Sequence, residues 1–258
     1  ISGYGESGPY AQRKAYDLLI QAESGLSSVT GGPEGPARVG VSVVDIAAGL
    51  NAYEAILEAL LARARSNEGA EISVSMFDAM AEWMTIPLLN EEGGNPFRRV
   101  GLAHPTIAPY GVFKTRDGAD ILIAIQNDRE WRVLAEKVLG NARLADHPDF
   151  ATVPKRFANR RETDAHVAKA FSAMDVASLM AKLEAAHIAF ARVNDTALLG
   201  KHPHLRRIAV DTPSGPASVP APAYRLAGEQ RRYGAVPKLG EHTEKVKAEF
   251  VAGRKRSG

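Results

Sequence analysis

The sequence predicts a mixed helix-and-strand protein organised as two domains. Three features carry that expectation. An amphipathic helical repeat runs from Ile46 to Arg65, and two short apolar runs, 111–114 and 121–126, flank Arg116-Asp117-Gly118 as in a β-hairpin. Between them, 91–109 is rich in Gly, Pro and Arg without periodicity, which reads as a crossing into a second domain. With 258 residues, 45% of them apolar and 24% charged, the chain can build one large core or two modest ones without staples.

In chain order, a Gly-rich turn (Gly3, Gly5, Gly8, Pro9) precedes a helix predicted from about Lys14 to Ser24, with Gly25 at the C-terminal cap position. Leu18, Leu19 and Ala22 are expected to form its apolar face. Asp17, Gln21 and Ser24 recur at i, i+4 and i+7, so the carboxylate and the amide share another face. A turn-dense loop from Thr30 to Pro36 leads into 39–44, and Asp45 stands at the start of the long helix. The alternation from Glu71 to Met76 predicts a strand, and 77–89 another helix. After the hairpin, helices are expected over 128–139, 155–174 and 176–186, a short strand over 189–193 and a turn or short helix over 196–200. Extended, Pro-rich chain follows over 208–222, then a last helix introduced by Leu239-Gly240-Glu241-His242-Thr243. The basic tail Arg254-Lys255-Arg256 reads as a disordered, solubilising end.

Composition excludes several chemistries. The absence of cysteine removes disulfides, thiolate nucleophiles and Cys-ligated metals together. The formal charge of +2 is small and both signs are interspersed, so no nucleic-acid partner is expected. No apolar run approaches the roughly 20 residues of a membrane span, and no basic segment leads into an apolar stretch at the start. No membrane partner is therefore expected, and the expected location is the cytoplasm. Asn194-Asp195-Thr196 fits a glycosylation acceptor only by chance in that setting. Ile1-Ser2-Gly3-Tyr4-Gly5 reads as a strand end running into a tight turn, which implies an N-terminal portion lost, cleaved or carried on another chain.

Gly3-Tyr4-Gly5-Glu6-Ser7-Gly8 matches G-x-G-x-x-G, a dinucleotide-binding pattern. That pattern needs a helix opening on the glycines, whereas Pro9 follows at once and Thr30 to Pro36 occupies the second strand's place, so a tight turn is the better reading. No G-x-S-x-G elbow surrounds Ser7 or Ser24. His202 and His204 straddle a proline without a third ligand, and His242 reads as a helix-start residue, so no metal is expected. By composition alone, Asp17 is a first-turn aspartate that complements the helix dipole.

The ordered set Gly3 to Pro9, Ala15-Tyr16-Asp17-Leu18-Leu19-Ile20-Gln21-Ala22-Glu23-Ser24-Gly25, Thr30-Gly31, Gly35-Pro36, and Asp45 with Gly49 resembles the central signature of family III CoA transferases, the CaiB/BaiF family. Leu239 to Thr243 is similar to the family's C-terminal signature. The resemblance implies that the chain is the C-terminal two-thirds of such an enzyme, with Asp17 as nucleophile. Tyr16, Gln21, Gly31, Gly32 and Asp45 would surround it, and the Thr30 to Gly35 loop would be a mobile cover.

A thioester is already activated, so an ionised carboxylate can attack it without a base; an ordinary aspartate, of pKa about 3.9, is charged at neutral pH. The resemblance further implies an aspartyl anhydride and an aspartyl-CoA thioester. Its substrates would be an acyl-CoA and a free carboxylic acid, with succinyl-CoA and small dicarboxylates the nearest likeness and no tightly bound cofactor. The absence of a glycine run between Arg99 and Asp120 argues against oxalate as acceptor. The fold implied is α/β, a Rossmann-like large domain (1–95 and 195–258) with an inserted smaller α+β domain (105–190), in an interlocked homodimer. The alternatives are an α-methylacyl-CoA racemase using Asp17 as acid and base, a nicotinamide oxidoreductase, and a non-catalytic paralogue or partner subunit. Tyr16 before Asp17 and Gln21-Ala22 after it favour the transferase.

Overall fold

The structure, a computed structural model, describes residues 1–228 and 231–254. Its contacts divide the chain into two compact units, Ile1–Val193 and Asn194–Gly258.

In the first unit, α1 (Asp17–Glu23) begins after an irregular Gly-rich stretch. It ends at Ser24, and Gly25 follows with φ 84°, a left-handed position that suits glycine. A single turn, α2 (Leu26–Val29), leads to the two-residue strands β1 (Gly31–Gly32) and β2 (Gly35–Pro36), paired antiparallel. The long α3 (Val43–Ser66) closes on Asn67, whose left-handed φ of 60° lets its N–H reach the Arg63 carbonyl at 2.8 Å. The helix expected over 77–89 is two, α4 (Met76–Trp83) and α5 (Thr85–Glu92), broken where Met84 leaves helical dihedrals. Ser75 caps α4 by accepting from the Asp78 N–H at 3.2 Å.

The predicted hairpin is present: β3 (Tyr110–Lys114) pairs antiparallel with β4 (Asp120–Ala124), and β5 (Phe190–Arg192) adds to β4. Helix α6 (Asp128–Val133) runs on as a π-turn over Leu134–Val138. The helix expected over 155–174 is split at Asn159 into α7 (Val153–Ala158) and α8 (Arg160–Phe171). Asn159 leaves the helical region, and its side-chain amide bonds back to the Lys155 carbonyl at 3.1 Å. Helix α9 (Val176–Ala185) is capped by Asp175. In the second unit, Asp195 caps α10 (Thr196–Leu199), the Pro-rich stretch forms a hairpin of β6 (Arg207–Thr212) and β7 (Gly215–Pro220), and α11 (Thr243–Arg254) closes the described chain. Lys255 and Arg256 of the basic tail lie outside the described residues.

Two separate apolar clusters fill the first unit. One joins Ile20 of α1 to Val44 and Ala47 of α3 and Met80 of α4. The other is built from the hairpin and the helices after it, around Ile121, Ile123, Trp131, Phe171, Leu179 and Leu183. Each Val, Leu, Ile, Phe or Met side chain among them that is fully removed from water contributes about 1.5–3 kcal/mol.

Three expectations are corrected. The inward residues of α1 are Ile20 and Gln21, while Leu18 and Leu19 are 47% and 49% exposed. The apolar stripe of α1 therefore does not face the core, because the buried amide of Gln21 finds polar partners there. The strand expected at Glu71 to Met76 reduces, among the described residues, to one parallel bridge, Ser75 with Ser2. That bridge is also the parallel pairing found among the described residues where a Rossmann-like domain would hold a parallel sheet. Finally, α3 buries only Val44, Ala47 and Ala48, leaving Leu50, Tyr53, Leu60 and Leu61 exposed.

Candidate active site

Asp17 occupies the first position of α1, half-buried, with both carboxylate oxygens engaged. Oδ1 accepts from the Gln21 side-chain amide at 2.6 Å, one helical turn on. Oδ2 accepts from the backbone N–H groups of Val44 at 2.8 Å and Asp45 at 3.3 Å, in the first turn of α3. These are N–H groups that a helix leaves without intrahelical partners, at its positive end. The carboxylate of one helix thus rests on the N-terminus of another.

Gln21 is fully buried and fixed from both ends, its side-chain oxygen accepting from the Val39 N–H at 2.9 Å. That bond ties the chain entering α3 to α1, so Asp17, Gln21, Val39 and Val44 form one connected polar set beside the Ile20 cluster. Asp45 joins it through its backbone; its side chain is exposed. Tyr16 supplies the carbonyl that accepts from the Ile20 N–H at 3.1 Å, while the residue as a whole is 69% exposed.

Gly31 and Gly32 lie in the tight β1–β2 hairpin next along the chain. Gly31 has φ 109°, and a Cβ there would stand 2.5 Å from the Gly35 carbonyl oxygen. Only glycine fits without movement. The hairpin is held from a distant segment: Arg99 donates to the Ser28 carbonyl at 3.0 Å and to the Gly32 carbonyl at 3.3 Å, and the Gly101 N–H to the Gly31 carbonyl at 3.0 Å. The sequence assigned no site role to Arg99 or to the N–H groups of Val39 and Val44. Backbone donors leave no mark in residue identity, and Arg99 acts across 67 and 71 positions.

On the outer side of α1, Glu23 accepts from the Tyr4 hydroxyl and from Arg13, both at 2.7 Å. The hydrogen bond from Tyr4 holds the Glu23 carboxyl below its ordinary range, and the same bond pushes the Tyr4 hydroxyl up. The G-x-G-x-x-G stretch therefore closes as a turn against α1. A Cβ on Gly3 would meet that of Ala15 at 2.3 Å. His202 and His204 stand with ring centroids 6.1 Å apart, and among the described residues no group of three or more His, Asp or Glu side chains is arranged to hold a metal. Among the same residues no helix is long and apolar enough to cross a membrane.

Residues 1–243 match the sequence profile of CoA-transferase family III. The chain belongs to this family. Among its relatives, the succinate–glutarate CoA-transferase of Agrobacterium fabrum is 32% identical over 97% of this chain and 64% of its own length. The acetyl-CoA:oxalate CoA-transferase of Acetobacter aceti is 33% identical over 97% of this chain and 65% of its own. A solved CaiB/BaiF family protein from Brucella suis superposes with a TM-score of 0.80 at 32% identity, covering 96% of this chain and 66% of that one. The chain thus spans somewhat under two-thirds of the length of these relatives.

Proposed function

We propose that the protein transfers coenzyme A between an acyl-CoA and a free carboxylic acid through Asp17. The observation that carries this reading is the posture of the Asp17 carboxylate on the α3 N-terminus. Oδ2 takes two donors and Oδ1 one, so Oδ1 keeps a free lone pair for attack.

Oδ1 adds to the thioester carbonyl, the C–S bond breaks, and CoA leaves as thiolate from a mixed anhydride. The thiolate then adds to the Asp17 carboxyl carbon, and the anhydride C–O bond to Oδ1 breaks. The donor acid departs as its carboxylate, leaving an aspartyl-CoA thioester. An acceptor carboxylate retraces both steps, regenerating Asp17 and releasing the new acyl-CoA. No proton changes hands, which suits a site without cysteine or a Ser–His pair. When the thiolate adds, negative charge develops on Oδ2, where the Val44 and Asp45 N–H groups already point; such a preorganised donor contributes about 3 kcal/mol.

The relatives' names favour small dicarboxylic acids such as succinate and glutarate as partners, and coenzyme A thioesters as substrates rather than bound cofactors. Residues 105–190 form the smaller domain in this reading, in keeping with the apolar cluster of their own. The exposed apolar residues of α3 suit burial in a homodimer. The deciding experiment incubates full-length protein with succinyl-CoA, traps with hydroxylamine or borohydride, and maps the modification by mass spectrometry. Modification at Asp17, lost in Asp17→Asn, is expected. An unmodified Asp17 with α-proton exchange into solvent would instead favour the racemase.

A further inference from the structure

A cavity of about 800 Å³ opens beside the segment that holds the Gly31 hairpin. Phe97, Phe157 and Pro105 give it an apolar wall, and Asn95, Thr106, Arg98 and Arg160 supply polarity. Two of its lining residues are arginines and, among the described residues, none is acidic. A concave, largely apolar space with a few convergent polar groups is the usual form of a small-molecule site, and here the polar groups are cationic.

The two arginines differ in availability. Arg160 is held by carbonyls, donating to His104 at 2.7 Å, Ile107 at 2.6 Å and Tyr110 at 3.4 Å, with Asp164 at 3.5 Å from its Nε. It shapes the wall. Arg98 makes no hydrogen bond or ion pair among the described residues and is exposed at the cavity. Its neighbour Arg99 faces the other way, onto Ser28 and Gly32. One short segment therefore offers a free guanidinium to the cavity and anchors the loop next to the Asp17 helix.

We infer that this cavity takes the carbon chain of a dicarboxylic acid, with Arg98 binding one of its two carboxylates. A planar guanidinium donates two N–H groups to one carboxylate in a bidentate fork, and the apolar wall suits the methylenes between the two acid groups. A lone arginine is a weaker match for the several phosphates of coenzyme A. The inference rests on the transferase reading for its choice of acid, and its test separates the two.

Glutarate, butyrate and free coenzyme A are titrated by calorimetry into full-length Asp17→Asn protein, with and without Arg98→Met and Arg98→Lys. The expected result is glutarate binding weakened about 10- to 100-fold by Arg98→Met and partly restored by Arg98→Lys. Butyrate, which lacks the second carboxylate, and coenzyme A should shift far less. No glutarate binding at millimolar concentration, equal glutarate binding with and without Arg98, or coenzyme A weakened as much as glutarate would each overturn the site. Glutarate bound through Arg98 in a protein whose Asp17 is never acylated would keep the site and reject the transferase.

Discussion

Gln21 bridges Asp17 and Val39, donating to the carboxylate at 2.6 Å and accepting from the backbone N–H at 2.9 Å, wholly out of solvent. Truncation to alanine strands the part-buried Val39 N–H and removes the side-chain donor that holds the Asp17 carboxylate. Gln21→Ala should lose about 1–3 kcal/mol of stability by denaturant melts, with a fall in turnover larger than any change in KM. Gln21→Glu places a second carboxylate against Asp17, and like-charge repulsion opposes having both ionised. The acid limb of the pH–rate profile should then move to higher pH. A profile identical to wild type would mean that Gln21 does not neighbour the reacting carboxylate.

The two backbone donors to Oδ2 can be addressed one at a time. Asp45→Pro removes one N–H in the first turn of α3, where proline is tolerated because that N–H has no intrahelical acceptor. Asp45→Ala keeps the donor and removes only the exposed side chain. Single-turnover rates should fall about 10²-fold in the proline variant, toward the scale of a lost oxyanion donor, and much less in the alanine variant. Equal losses would place the effect in the side chain.

Arg156 is fully buried in the second apolar cluster's territory, donating to the Ala108 carbonyl at 3.1 Å, the Phe150 carbonyl at 2.9 Å and Asp128 at 2.9 Å. Burial pushes its guanidinium below the ordinary range, and Asp128 opposes that shift. Arg156→Met leaves two carbonyls without their donor, and a cost of about 3 kcal/mol is expected in equilibrium unfolding. A loss under about 1 kcal/mol would show that the surrounding chain re-pairs those groups.

Much of the fold is legible in residue patterns, and the exceptions share a cause. The Asp117-Gly118 turn and the Gly25 stop act within a few positions of their own sequence, so local chemistry reveals them. Leu18 and Leu19 mislead because periodicity reports an apolar face without saying whether this chain covers it. The strand at 71–76 fails as a prediction because strand assignment needs a partner backbone, and among the described residues the pairing is a single bridge to Ser2. At the site, Asp17 and Gln21 follow from helical spacing together with the family likeness. Val39, Val44 and Arg99 come from elsewhere in the chain and meet the site only in three dimensions.

Asp117 gives the fold a pH-dependent element. The Thr115 hydroxyl, donating at 2.6 Å, holds its carboxyl below the ordinary aspartate range, helped by the Val176 N–H at the start of α9. A carboxyl whose folded pKa is depressed adds stability above its unfolded value, about 3.9, and loses it as pH falls through the lower folded value. The melting temperature of Asp117→Asn should thus lie below wild type at neutral pH, with the gap closing on acidification. A gap constant down to strongly acid pH would exclude the charge as its origin.

Gly31 and Gly35 lie on opposite strands of the β1–β2 hairpin, paired with Pro36 and Gly32 respectively, yet should respond differently to a methyl group. At Gly31 the backbone is left-handed, and an added Cβ would meet the Gly35 carbonyl at 2.5 Å and the Ala37 nitrogen at 2.9 Å. At Gly35 nothing lies within 4 Å of that position. Gly31→Ala should cost about 1–3 kcal/mol, the scale of local backbone strain. It should also weaken the grip of Arg99 and Gly101, since the turn must open to admit the methyl. Gly35→Ala should stay within about 0.5 kcal/mol of wild type. Proteolytic susceptibility near residues 30–37 gives a second readout, rising in the Gly31 variant alone. If both variants melt like wild type, the close approach of Gly31 to its own hairpin is not a constraint on the fold.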